Sequence, residues 1–286
     1  MSGQAGRVQS ACDPGRGRLP SASTVEPDLV DHRLIHSLDV AAMGRRAASA
    51  DAGARALFQV STLDALFAGN LEGDLTFGEL AAHGDLGLGT LDRLDGEMIA
   101  LDGRFLRADA DGNLAPIPPA ARTPFAVVTW FRPGVSFGLD GPLDHAAFLR
   151  ALDARLPSDA PACALRVDGD FERVELRSVA RQPPGTSLAE AARQQHAFEL
   201  RDVSGTLVGF RFPDYAQGLE VAGYHLHFAD AARRRGGHVL ACRPARVQVA
   251  LDPEGDLHVE LPPGIELGPP DRSADERARI REAEEG

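Results

Sequence analysis

The chain contains no lysine, since all 30 of the Lys+Arg positions among its 286 residues are arginine. This absence excludes chemistry that needs an ε-amino group: a Schiff base with a carbonyl substrate, a pyridoxal-phosphate aldimine, a carrier lysine and the phosphate-binding lysine of a P-loop. The abundance of Ala, Arg and Gly is typical of a GC-rich genome and accounts for the bias. Any bond-breaking step beside a carbonyl must therefore use an electron sink other than an imine.

Three other shortages narrow the class of protein. Only three cysteines are present (Cys12, Cys163 and Cys242), without a C-x-x-C pair, which favours reduced thiols and a cytoplasmic location. No apolar run is long enough to span a membrane, and the N-terminus lacks the apolar core of a signal peptide. A net charge of −12 and a pI near 5.2 argue against nucleic-acid binding. Neither nucleic acid nor a membrane is an expected partner, and an anionic ligand would need a local positive centre.

The length favours two domains. Residues 1–55 are rich in Ala, Gly, Ser and Arg and lack periodicity, so they are predicted to be disordered or to be a spurious extension, with Met43 as an alternative start. Residues 56–157 are predicted to form an N-terminal α/β domain, and residues 158–286 a C-terminal β-rich domain. The boundary falls at Pro157, which follows a predicted amphipathic helix that Asp144 opens.

Strands outnumber helices in the predicted secondary structure. Ser61 can cap one short helix, and Thr76 with Glu79 forms a capping-box pattern before another. Asp-Gly turns separate several strands. The predicted strands are 97–101, 104–107, 124–131, 163–167, 171–179, 205–212, 224–228, 238–242, 247–251 and 257–261, and a charged helix is predicted at 274–285. The fold class is therefore α+β, with mixed or antiparallel sheets and short helices.

Three histidines form the most specific chemical pattern. His225 and His227 alternate along a predicted strand, so their side chains share one face about 6.5–7 Å apart. A short turn through 233–237 would return His238 to the same side on the neighbouring strand. Three converging imidazoles are typical of zinc with an open fourth position, the arrangement of a catalytic site. The alternative is that the three are unrelated surface histidines.

The three-histidine pattern by itself leaves the chemistry open. A metal-dependent oxygenase or hydrolase could use the same site, and oxygen consumption would favour the oxygenase. A cupin-type site fits poorly, because Asp230 comes early and the third histidine arrives within one hairpin. A metal-stabilised binding module without catalysis is a further alternative, which a metal without an exchangeable water ligand would indicate.

Several segments taken in order resemble the acetolactate decarboxylases. They are FQVST (58–62), HGDLGLGT (83–90), LDGE (94–97), TPFAV (123–127), LVGFR (207–211) and GYHLHF (223–228). The resemblance implies two domains with a zinc site between them, in a homodimer. It also implies a reaction, the loss of CO2 from (S)-2-hydroxy-2-methyl-3-oxobutanoate to give (R)-acetoin. Zinc would act in that reaction as a Lewis acid toward the ketone.

The resemblance also assigns roles to individual residues. His225, His227 and His238 match the zinc ligands, in agreement with the pattern itself. Glu97 matches an active-site carboxylate, although alone it would read as a solvated acid after a tight turn. Arg177 matches the family's arginine and would hold the substrate carboxylate through its planar fork; otherwise it is a surface charge at a strand edge.

Two further matches are implied. Thr90 matches a hydroxyl that contacts the substrate. Glu284 matches a second carboxylate on a C-terminal tail that folds over the zinc site, with Glu282 and Glu285 close enough to take its place. Without the resemblance, this tail reads as a solvated acidic helix end. The chain departs from the family at Ala180, where proline is usual, and residues 1–55 match nothing in it.

Overall fold

The computed structural model describes residues 38–42, 56–156, 162–186, 188–216, 218–254 and 256–261. The predicted helix at 274–285 and Glu284 lie outside these residues, as does most of the 1–55 segment. One strand is described within that segment, at Leu38–Ala42, and it precedes Met43.

Strands make up most of the described chain. The four α-helices of the described residues are short: α1 (Leu63–Phe67), α2 (Phe77–Leu80), α3 (His145–Asp153) and α4 (Leu188–Ala192). The strands are β1 (Leu38–Ala42), β2 (Ala56–Val60), β3 (Leu75–Thr76), β4 (Leu86–Thr90), β5 (Glu97–Leu101), β6 (Arg104–Ala108), β7 (Leu114–Pro116), β8 (Arg122–Thr123), β9 (Ala126–Thr129), β10 (Val135–Asp140), β11 (Ala162–Ser178), β12 (His196–Phe212), β13 (Gly223–Asp230), β14 (Gly236–Glu254) and β15 (Asp256–Leu261).

The first sheet has eight strands in the order β1-β15-β2-β9-β4-β5-β6-β7. It is parallel where β15 pairs with β1 and β2, and antiparallel elsewhere. Its central strand β4 contains two glycines, because the backbone of the neighbouring strand β9 and of the residue before it lies too close to leave space for a side chain. A Cβ on Gly87 would lie 2.2 Å from the carbonyl oxygen of Val127, and one on Gly89 would lie 2.4 Å from that of Phe125.

The second sheet has five strands in the order β10-β14-β11-β12-β13, and β13 also pairs with the start of β14. This extra pairing curls the sheet, so that β11, β12, β13 and β14 form a closed ring at one end. Helix α3 covers the outer face and buries Phe148 and Leu152 against it. The helix begins where Asp144 accepts a hydrogen bond from the amide of Ala147.

The inner faces of the two sheets pack against each other. Their shared core includes Leu57, Leu88 and Ile99 from the first sheet and Val208 and Phe210 from the second. The burial of this apolar area is the main force holding the sheets together.

The predicted mixed and antiparallel β-sheets with short helices are confirmed. The sheets, however, do not divide the chain at residue 157. Helix α3 and β10 precede that position and belong with the second sheet, whereas β15 follows it and pairs in the first. The domain limits stay a prediction.

Candidate metal centre

Three buried histidines meet on the inner face of the second sheet. His227 on β13 lies directly opposite His238 on β14, and His225 points to the same face from two residues earlier in β13. Their ring centroids are 5.1 to 5.3 Å apart, and one nitrogen from each ring lies within 4.8 Å of the others. The alternating neighbours Leu226 and Phe228 enter the core on the opposite face. The convergence predicted from the spacing of the three residues is present in the fold.

The His227 ring is prepared to bind a metal. Its Nδ1 donates a hydrogen bond to the carbonyl oxygen of Met98 at 2.8 Å, which fixes the tautomer and leaves Nε2 without a proton. Burial lowers the pKa of His227 well below its ordinary value; His225 and Arg177 lower it further, while the bond to Met98 opposes them. Its buried Nε2 makes no hydrogen bond among the described residues. A neutral nitrogen in this position has a lone pair that can coordinate a cation, so the three rings fit a metal ion.

The His225 ring has a different partner, which the sequence did not indicate. Its Nδ1 lies 3.4 Å from Oε2 of Glu220, a carboxylate with 0% exposure. Glu220 precedes β13 across a turn, and no pattern of spacing relates it to the histidines.

Two charged residues lie beside the histidines: Glu97 on the first sheet, and Arg177 on the second sheet with the histidines themselves. Arg177 on β11 lies directly across from His238 on β14, so the two side chains share a face. Glu97 reaches from β5 of the first sheet: its Oε1 is 3.6 Å from Nη1 of Arg177, and its Oε2 is 3.6 Å from Nε2 of His227. Both charged groups are more than nine-tenths buried. A carboxylate, a guanidinium and three imidazoles therefore occupy one desolvated space.

Thr90 stands beside Glu97, because it is the residue opposite Glu97 in the β4–β5 pair. Its hydroxyl donates to the carbonyl oxygen of Gly96 at 2.9 Å, and the lone pairs of its oxygen stay available as acceptors. Gly96 has φ of +90°, a left-handed conformation that glycine adopts without strain, and this tight turn delivers Glu97 to the start of β5.

A small pocket of about 50 Å³, partly open to solvent, leads to these groups. Among the described residues that line it, Arg177 is the only arginine, and the rest of the wall is largely apolar. The lining residues are Leu63, Leu66, Gly89, Thr90, Leu94, Glu97, Phe125, Arg177, Val179, His225 and His238. Six of the seven residues selected from the sequence thus lie at one site, and the seventh, Glu284, lies outside the described residues.

Fold and site together define a class of mostly β protein in which two packed sheets enclose three histidines that could hold a metal ion, beside a buried acid–arginine pair. Comparison with known proteins then places the chain within that class. Residues 57–266 match the family model for alpha-acetolactate decarboxylase. The chain belongs to the alpha-acetolactate decarboxylase family and is a carboxy-lyase.

Named relatives and solved structures agree with this placement. The chain is 49% identical to the alpha-acetolactate decarboxylase of Methylococcus capsulatus over 207 residues, which cover 72% of this chain and 80% of the relative. It superposes on the crystal structure of alpha-acetolactate decarboxylase from Bacillus subtilis strain 168 with a TM-score of 0.76 and 34% identity, covering 80% of this chain and 99% of that one. A Staphylococcus aureus protein of unknown function, similar to alpha-acetolactate decarboxylase, gives a TM-score of 0.74 at 32% identity, with coverage of 80% and 100%.

Across the described part of the chain, none of the helices has the length and apolar character needed to cross a membrane.

Proposed function

We propose that this enzyme catalyses the zinc-dependent decarboxylation of (S)-2-acetolactate to (R)-acetoin and CO2, in acetoin and butanediol biosynthesis. Membership of the family supports the reaction. The structural observation that carries the proposal is the buried cluster of three imidazoles beside the Glu97–Arg177 pair. Two of these imidazoles, His225 and His238, line one pocket together with that pair. Nothing in the geometry favours the oxygenase or hydrolase alternative.

His225, His227 and His238 would hold the zinc ion. Three nitrogen ligands with a position left for substrate are the donor set of catalytic zinc, and imidazole is a ligand that zinc accepts readily. The chemistry that zinc supplies when bound is Lewis acidity at the ketone oxygen, where the electron pair of the breaking C–C bond accumulates.

Arg177 would bind the substrate carboxylate. Its guanidinium supplies the local positive charge that an anionic substrate needs in a chain with a net charge of −12. Glu97 faces the same guanidinium at 3.6 Å and so restrains where it can point. Held in this way, the carboxylate is oriented for loss as CO2, and a proton replaces it on the carbon that becomes the carbinol centre of acetoin.

The remaining wall of the pocket matches the rest of the substrate. Leu63, Leu66 and Phe125 line it with apolar surface, which suits the two methyl groups and limits the entry of water. The hydroxyl oxygen of Thr90 can accept a hydrogen bond from the substrate hydroxyl.

The C-terminal tail would complete the site. Strand β15 ends at Leu261, and the carbonyl oxygen of Glu260 accepts a hydrogen bond from the amide of Ser61 at 2.7 Å. Ser61 is followed closely by Leu63, which lines the pocket. Glu284, which lies outside the described residues, would supply the second carboxylate that the family resemblance implies. The proposed enzyme is a homodimer with two domains, as the family resemblance implies, and the few cysteines favour a cytoplasmic location.

The direct test supplies racemic acetolactate to the purified chain and measures CO2 and acetoin. The His227→Ala variant should lose more than about 100-fold in kcat/KM, since Lewis-acid stabilisation contributes several kcal/mol. His196→Ala is the matched control, because His196 is exposed at the start of β12 and should tolerate the change. The proposal fails if the wild-type chain with bound metal releases no acetoin, and oxygen uptake in the same assay would favour the oxygenase alternative.

A further inference from the structure

Glu220 is a buried acid whose place in the site has to be explained. Its side chain has 0% exposure. Its Oε2 accepts a hydrogen bond from the amide of Val221 at 2.8 Å and lies 3.4 Å from Nδ1 of His225. An ionised carboxylate can only accept hydrogen bonds, so the proton between them belongs to His225 Nδ1, and His225 Nε2 is left without one.

The loop that carries Glu220 is fixed to the first sheet and to α1. The carbonyl oxygen of Leu219 accepts hydrogen bonds from Nε2 of Gln59 at 2.7 Å and from the amide of Leu63 at 3.2 Å. Gly223, with φ of +97°, then turns the chain into β13. Glu220 therefore reaches His225 from a rigid support.

The burial of Glu220 is costly unless a positive charge lies nearby. Taking a carboxylate out of water is unfavourable unless a positive charge or hydrogen bonds compensate for it, and its Oε1 makes no hydrogen bond among the described residues. The imidazole of His225 is neutral when it binds a metal, but the metal polarises the ring. The N–H on its other nitrogen then interacts more strongly with a negative group. A cation among the three histidines accounts for the buried acid.

We propose that Glu220 is a positioning residue: it accepts a hydrogen bond from His225 Nδ1 and thereby directs Nε2 at the metal and strengthens that ligand. The inference rests on the metal centre of the proposed function. Under this proposal, the two histidines of β13 differ in the charge of the group that orients each ring. His227 is oriented by the neutral carbonyl of Met98, whereas His225 is oriented by a full negative charge.

The test compares metal binding by the wild-type chain with that of two variants. Glu220→Gln keeps an acceptor for His225 but removes the charge, and Glu220→Leu removes both. Glu254→Gln is the control: Glu254 is equally buried and bonds to Thr129, but it lies at the opposite end of β14 from His238. Metal affinity is measured by competition of Zn²⁺ with a chelator, ligand geometry by the visible spectrum of the Co²⁺ form, and stability by thermal unfolding of the metal-free proteins.

Glu220→Gln is expected to weaken zinc binding by about 10- to 100-fold and to change the Co²⁺ spectrum, because charged partners of metal ligands typically have effects of this size. Glu220→Leu should weaken it further. The metal-free Glu220→Gln protein should unfold near the wild-type temperature, and Glu254→Gln should bind zinc as wild type does. If Glu220→Leu does not fold, the Gln variant alone decides.

Zinc affinity within about twofold of wild type and an unchanged spectrum in Glu220→Gln would overturn the proposal, as would a wild-type chain that binds no metal. A lowered unfolding temperature with unchanged affinity would assign Glu220 a structural role only. Because these readouts measure binding, a wild-type protein that binds zinc tightly but forms no acetoin would refute the proposed function and leave the role of Glu220 decided by its own data.

Discussion

The side chain of His227, on the second sheet, contacts the first sheet through both of its ring nitrogens. Its Nδ1 bonds to the backbone of Met98, and its Nε2 faces the carboxylate of Glu97, both of them on β5 of the first sheet. A ring that is held on one nitrogen and open on the other has a defined tautomer before any metal arrives. The fold thus fixes the orientation of the His227 ring independently of any ion.

Alternation along a strand predicted that His225 and His227 share a face, because the side-chain period of a strand is fixed by backbone geometry. A predicted turn added His238 from the neighbouring strand. The family resemblance supplied Glu97, Arg177 and Thr90, which no spacing rule would have selected. Glu220 and the carbonyl of Met98 could not be predicted in this way. Both act through contacts across the fold, and such partners leave no local pattern in a sequence.

Arg177 should be essential for catalysis but not for metal binding. We expect Arg177→Ala to lower kcat/KM by about 30-fold or more, since truncating one partner of a buried charge pair costs about 2–5 kcal/mol, while the bound metal stays at the wild-type level. Steady-state kinetics and elemental analysis on the same preparation check both halves. Arg177→Lys, which keeps the charge but not the planar fork, should recover part of the activity. Loss of the metal in Arg177→Ala would show that its role is misassigned.

At the scale of elements, the predicted strands are mostly correct in position but too short. Two predicted strands, 238–242 and 247–251, form the single strand β14, which passes through Pro244 at a register shift opposite Phe171. Proline lacks a ladder donor, and a bulge is where a sheet accepts it. Strand β11 likewise continues through Gly169, with register shifts just after it.

Seven strands were not predicted: β1, β2, β3, β4, β7, β8 and β10. The sequence of β4, Leu-Gly-Leu-Gly-Thr, resembles a loop, yet it forms a central strand because only glycine allows β9 to lie so close. Strand β10 is an edge strand with a single partner, β14, and is only half-buried. Helix caps were more predictable. Thr76 and Glu79 form the expected capping box, whereas the cap of α1 is Thr62 rather than Ser61.

The cap of α3 gives a prediction about stability. The side chain of Asp144 accepts a hydrogen bond from the amide of Ala147, one of the donors that a helix start leaves unsatisfied. Asp144→Ala should lower the free energy of unfolding by about 1 kcal/mol, and Asp144→Asn, an equally good cap, should change it little. Urea unfolding followed by circular dichroism measures both. Equal stability of the Ala variant and wild type would mean that the cap contributes nothing here.

At the scale of the whole molecule, the site exists only because the two sheets pack face to face. The second sheet contributes the histidines and Arg177, and the first contributes Glu97 and Thr90. The apolar core between the sheets therefore stabilises the fold and sets the distances across the site. The sequence predicted two halves with a site between them, but not which strands belong to each sheet. Strand β10 precedes the predicted boundary at residue 157 but pairs in the second sheet, and β15 follows it but pairs in the first.

The absence of lysine from the whole chain limits the electron sinks that it can offer. An imine or a metal accelerates decarboxylation of a β-keto acid by accepting the electron pair, and a chain without lysine cannot form the imine from a side chain. The three-histidine centre is where the described residues can provide the alternative.

The most direct measurement is a reconstitution titration of the purified enzyme with racemic acetolactate as substrate. Removal of metal by a chelator should abolish acetoin formation. Stepwise addition of Zn²⁺ should then restore it in proportion to the metal bound, with a plateau at a single ion per chain. Full acetoin formation by the metal-free protein would contradict a metal-dependent decarboxylase, and so would a fully loaded protein that forms none.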